Sequence, residues 1–217
     1  MFVFGDRTKY YEKMKRIYKV VFFFATLFFL ALASMVLLSP YGKGNLYGHR
    51  YLQSSIHIKT DKSHAYNVLG NSDNARKWSV FVHHITTLNS DKVIDGSVGS
   101  IRRCYQNENE IGLQWDEKIT INEINKRRRL SIFNMVHFDM SADYLMTEQL
   151  YNDVVGGCKL TFTLFFDSTK EIGFIDELKM YFAAYTASDI FEKNLMNIKK
   201  LTEEGASYKR VHSFLKE

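Results

Sequence analysis

Residues Val20 to Leu38 read VVFFFATLFFLALASMVLL, nineteen positions without a charged side chain. As an α-helix the run measures about 28 Å, close to the hydrocarbon thickness of a bilayer. Thr26 and Ser34 are its only polar residues, and each hydroxyl can bond a carbonyl one turn back. A segment apolar on every side is a membrane span, a cleaved signal, or the central helix of a larger protein. Ala31-Leu32-Ala33 does resemble a signal cleavage site. The apolar run continues past it through Met35-Val36-Leu37-Leu38, and the charged leader is long for a signal. The reading is therefore an anchor, with cleavage as the alternative.

The flanks set the orientation. Arg7, Lys9, Lys13, Lys15, Arg16 and Lys19 precede the run against Asp6 and Glu12, and only Lys43 and Arg50 follow closely. Positive charge stays in the cytoplasm. The N-terminus is expected there, and everything beyond Pro40 is expected to be periplasmic or otherwise extracytoplasmic. The 217 residues leave room for one ordinary domain of about 160 residues. The net charge of +5 sits largely in the leader, which suits anionic headgroups and is no argument for nucleic acid. The other basic cluster, Lys126-Arg127-Arg128-Arg129, lies between strand-like stretches and reads as a solvated turn. Cys104 and Cys158 are too few for a disulfide scaffold and read as small buried residues, with one bridge left open.

The spacer after the anchor carries the only proline, Pro40, with Gly42 and Gly44. The organisation is a basic leader (1–19), a membrane helix (20–38), a linker (39–50), a domain (51–204) and a tail (205–217). Within the domain, Tyr51 to Lys59 alternates as a strand. Thr60-Asp61-Lys62-Ser63 is helix-capping sequence before Ala65, Val68 and Leu69, with Gly70 as a stop. Asp73 to Trp78 forms a second short helix or turn. Period-two segments follow at Phe81–Leu88, Ser100–Tyr105, Ile111–Asn122, Leu130–His137, Ala142–Tyr151 and Cys158–Phe166, with a hairpin signal at Gly156-Gly157. That makes seven strands. From Gly173 to Glu204 there is no proline, and Leu178, Phe182, Tyr185, Ser188, Phe191, Leu195, Ile198 and Leu201 recur at helical spacing. Gly205 is the expected stop.

This order resembles the helix-grip fold of the START/Bet v1-like (SRPBCC, polyketide cyclase/dehydrase-like) superfamily, in a membrane-anchored bacterial form. The resemblance rests on Ser55-Ile56-His57-Ile58-Lys59-Thr60 with Ala65 and Val68, on Trp78, on Gly96 and Gly99, and on Gly156-Gly157-Cys158-Lys159-Leu160-Thr161-Phe162 before the last helix. Thr60-Asp61 stands where the family usually has Ala-Pro, and no second tryptophan follows Trp78 closely. The resemblance implies an α+β domain, a seven-stranded antiparallel sheet wrapped on a long C-terminal helix, with a cavity between them. Members hold lipids, sterols or polyketides there, some catalyse cyclisation or dehydration, and others bind proteins.

Aromatic residues make up 15% of the chain, enough to frame such a space. The expected lining is Trp115, Ile119 and Phe133 from strands, with Leu178, Phe182 and Tyr185 from the helix. Glu117 shares the alternation of Leu113, Trp115, Ile119 and Ile121. An inward carboxylate is costly unless paired. Glu117 is thus the candidate acid or base, or a bond to a ligand hydroxyl, or the partner of Arg102 or Arg103. Tyr144 and Tyr185 are candidate hydroxyl donors. No metal site is expected, because His83 and His84 are adjacent and would face opposite ways in a strand, and no C-x-x-C or H-E-x-x-H occurs. No cofactor is implied. Three readings remain: a membrane-tethered binding protein for an apolar small molecule or lipid, a cyclase- or dehydratase-like enzyme, and an envelope interaction module with a collapsed cavity.

Overall fold

The structure is a computed structural model. It describes the backbone of residues 5–41, 44–138 and 142–214 and the side chains of 10–41, 44–138 and 142–204. Leader residues Arg7 and Lys9 and linker residues Gly42 and Lys43 lie outside the described side chains. The chain divides into two compact units, Met1–Ser39 and Pro40–Glu217.

The first unit is a single helix, α1 (Gly5–Leu38). Its segment Tyr10–Leu38 is long and apolar enough to cross a membrane. Phe22, Phe24 and Phe29 are exposed along it. Both hydroxyls are satisfied internally: Thr26 Oγ1 donates to the Phe22 carbonyl (2.9 Å) and Ser34 Oγ to that of Ala31 (2.8 Å).

The second unit is α+β. Its elements are β1 (Asn45–Leu46), β2 (His49–Ile58), α2 (Lys62–Gly70), α3 (Ala75–Trp78), β3 (His84–Thr87), β4 (Ile101–Tyr105), β5 (Gln114–Glu123), β6 (Arg127–Val136), β7 (Tyr144–Val154), β8 (Gly157–Asp167) and α4 (Phe174–Phe214). The strands form one open antiparallel sheet in the order β1-β2-β8-β7-β6-β5-β4-β3. Eight strands replace the expected seven. The additional one, β1, lies in the stretch read as linker and folds back on β2 through Tyr47-Gly48. Both of these turn residues have positive φ (56° and 83°), as a tight hairpin turn requires. Tyr41 is also structured: its ring stacks on Phe166 and meets Tyr181 edge-on.

Local chemistry explains the boundaries. Asp61 caps α2 by accepting from the Ser63 amide (2.6 Å). At the β7–β8 hairpin a Cβ on Gly157 would collide with the Ile58 carbonyl, so only glycine fits. The stop expected at Gly205 does not occur, and α4 continues to Phe214. One helical glycine costs only about 1 kcal/mol, and no proline follows to end the helix.

The inner sheet face repeats every second residue along β8: Cys158, Leu160, Phe162, Leu164, Phe166. A bulge between Ile119 and Ile121 reverses the parity of β5, so Asn122 pairs with inward Arg128 while Ile121 pairs with Arg129. Two apolar clusters tie the sheet to α4. One holds Ile58, Tyr66, Leu69, Tyr151, Leu160, Leu195 and Ile198. The other holds Tyr41, Leu52, Leu145, Phe166, Met180 and Ala184.

The cluster Lys126–Arg129, expected as a solvated turn, lies largely inside β6. Arg128 is 2% exposed. Arg129 reaches Glu148 with two bonds (2.9 and 2.6 Å), and Arg127 pairs with Glu123. Three arginines fit a strand because alternate side chains find carboxylates on one face and a buried niche on the other. Cys104 and Cys158 are both buried and free.

Candidate functional site

Between the inner sheet face and α4 lies a cavity of about 430 Å³, within the size range of small-molecule pockets. It exists because of side-chain size on α4. Ala183, Thr186, Ala187, Ile190, Phe191 and Asn194 face it. At Ala183 and Ala187 a single methyl stands where a leucine would fill the space. The sheet supplies the opposite wall: Leu130, Ile132 and Met135 from β6, Leu145 from β7, and Leu164 and Phe166 from β8. Aromatic rings line the side toward β3 and β5. Phe81 stacks on Trp115 (5.4 Å), and Phe138 meets both edge-on. Trp78 also lines the wall, with its indole nitrogen buried and without a hydrogen-bond partner.

The polar groups concentrate on a few elements. Glu117 lines the cavity and accepts a hydrogen bond from Trp115 Nε1 at 3.0 Å. Arg102 stands opposite Glu117 in register, yet its Nη1 donates to Ser72 Oγ (3.0 Å) and its Nε lies 3.8 Å from Asp95. Arg103 turns to the other face and grips Asp116 with two bonds (2.7 and 3.0 Å), which, with a bond from Asn134 (2.9 Å), hold that carboxyl below its ordinary range. Arg128 reaches the C-terminal half of α2, where it lies over the Tyr66 ring (4.4 Å). Cys104 lines the cavity as well, and burial pushes its thiol well above its ordinary range.

The structure brings Trp115 and Glu117 together on the wall. Ile119 is fully buried on the same sheet face but does not border the cavity. Phe133 pairs with Asp116 and so belongs to the opposite face. Tyr144 stacks on His49 (3.5 Å between ring centres), outside the cavity. Leu178 does not border it, Phe182 is 53% exposed, and Tyr185 is exposed too. Sequence reasoning missed the alanines of α4 and the inward Arg128, and it weighed Arg102 only as a partner of Glu117. Their signals were the closely spaced small residues Ala183, Ala184 and Ala187, and an arginine in strand register with apolar neighbours. His83 lies just before β3, so its ring turns to within 3.0 Å of His84. No group of three metal-ligating side chains gathers among the described residues.

No family model matches the sequence, and no curated protein does either. Solved structures do. The chain is similar to major latex-like protein 151 of Panax ginseng (TM-score 0.54, 10% identity, covering 70% of this chain and 96% of that one). It is similar to a structural-genomics protein of Nitrosomonas europaea (TM-score 0.54, 7% identity, 73% and 97%). It is also similar to norcoclaurine synthase of Thalictrum flavum, solved with dopamine and hydroxybenzaldehyde (TM-score 0.53, 12% identity, 71% and 86%). The chain has the Bet v1-like helix-grip fold. Identities this low establish the fold and no more.

Proposed function

We propose that this chain is a membrane-tethered binding protein for an apolar small molecule or lipid held between the sheet and α4. The observation that carries this reading is the open, largely apolar cavity of about 430 Å³. Apolar surface leaving water for such a wall gains about 25 cal/mol per Å², and a few polar groups fix orientation. α1 is the tether. Its cationic leader supports a cytoplasmic N-terminus and an extracytoplasmic domain. An interaction module with a collapsed interior fits less well, because the interior is hollow. A cyclase- or dehydratase-like activity would fall to Glu117, whose carboxylate reaches the wall already bonded to Trp115.

Native mass spectrometry of the full chain, released from detergent micelles, tests the reading. A co-purified apolar molecule of defined mass is the expected result. Its absence, together with no uptake of added amphiphiles, would overturn the proposal.

A further inference from the structure

The cavity is not uniformly apolar. Along β6 its wall runs from Arg128 through Leu130 and Ile132 to Met135, and Phe138 follows beyond the strand. One end is cationic and the other is aliphatic and aromatic. Arg128 is 2% exposed, and among the described residues no carboxylate lies within 4.0 Å of it. Its hydrogen bond to Gln149 Oε1 is long (3.4 Å), its Nε has no partner, and the Tyr66 ring covers one face of the guanidinium. A buried, uncompensated guanidinium is costly. The second arginine converges on the same region. A Cβ on Gly70 would stand 2.9 Å from Arg128 Nη2, and two residues on, Ser72 Oγ accepts from Arg102 Nη1 at 3.0 Å. Arg102 is 4% exposed and its Nε also lacks a hydrogen bond. Asp95 partly offsets Arg102, and Glu117 is held by Trp115. Arg128 remains the unanswered charge.

We propose that the natural occupant is a single-chain amphiphile with an anionic head, a carboxylate or phosphate monoester, seated head-first on Arg128 with Arg102 beside it. The chain then lies along Leu130 and Ile132 toward the rings of Trp115 and Phe138. This inference rests on the ligand reading above and adds the head-group chemistry. An anionic head supplies the charge-assisted bonds that the two guanidinium groups lack. A neutral or cationic head would leave Arg128 buried and unpaired.

The two tryptophans of the chain, Trp78 and Trp115, both line the cavity, and none lies in α1. Their fluorescence therefore reports occupancy. The full chain is reconstituted in phosphatidylcholine vesicles and titrated with ω-bromododecanoic acid, ω-bromododecanol and ω-bromododecylamine, each scaled to its mole fraction in the bilayer. The acid is expected to quench at a midpoint at least about tenfold below the alcohol, with the amine weakest. Arg128→Met should abolish the advantage of the acid and leave the alcohol unchanged, while Arg128→Lys should keep most of it. Displacement by dodecanoate or by dodecyl phosphate tells which head is preferred, and either supports the assignment. Equal midpoints for acid and alcohol, or an amine that binds best, would overturn the head-group assignment and leave an apolar site standing. Quenching by none of the three would overturn the ligand reading itself. If Arg128→Met does not fold, the ranking on the unmodified chain decides.

Discussion

Two neighbouring stretches of α4 meet the same sheet and do opposite things. Toward its C-terminal half, Leu195 and Ile198 are fully packed against Tyr151, Leu160 and Phe162, with Tyr66 and Leu69 closing the side. About two to four turns earlier, Ala183 and Ala187 face Leu130, Ile132 and Leu164 across an open cavity. The backbone elements are continuous through both regions. The difference is therefore written in side-chain volume: Leu195 and Ile198 weld the helix to the sheet, and the methyl groups of Ala183 and Ala187 leave the space beside them open. Stability and capacity are carried by neighbouring turns of one helix.

Substitutions can break that division of labour. The largest loss is expected in the solid region, where Ile198→Ala should cost about 3 kcal/mol, or about 10 °C in thermal denaturation followed by circular dichroism. Next comes the half-buried ion pair on the far face of the sheet, where Arg103→Ala leaves the buried Asp116 without its cation and should cost about 2 kcal/mol. The same pair gives an acid limb. The native Asp116 carboxyl titrates below its unfolded value, so its stabilisation is complete above about pH 4 and is lost as pH falls through the native value. An Asp116→Asn variant should lack that limb in pH-dependent urea denaturation. In the hollow region, Ala187→Leu should change stability by no more than about 1 kcal/mol while sharply reducing uptake of a brominated amphiphile. Retained uptake would mean that the middle of α4 does not form the cavity wall. The smallest effect belongs to the outer face of α4, where Phe182→Ala should stay within about 0.5 kcal/mol.

Much of the architecture was legible in the sequence. Alternation located seven strands to within a few residues, and capping chemistry at Asp61 located α2. What escaped was set by contacts distant in sequence. Arg129 looks like turn material until Glu148, on the next strand, is placed beside it. β1 is two residues long and has no periodicity to detect. Phe191, Leu195 and Ile198 of the helical stripe do face inward, but its earlier part was misread because periodicity was counted on large residues. That rule finds filled cores, and here it selected Phe182 and Tyr185, which face outward. A hollow interior is lined in part by residues too small to register as apolar signal. Trp115 and Glu117 lie on the cavity wall because the alternation of β5 holds as far as the bulge after Ile119, and Ile121 turns to the other face because it lies beyond it.

The two free thiols sit on either side of the same divide. Cys158 is sealed in the solid cluster, whereas Cys104 borders the void. A small apolar alkylating reagent thus has a route to one sulfur and none to the other. Cargo occupying the void would block that route, so the labelling rate of Cys104, with Cys158 as the unlabelled control, becomes a gauge of how much of the protein is loaded.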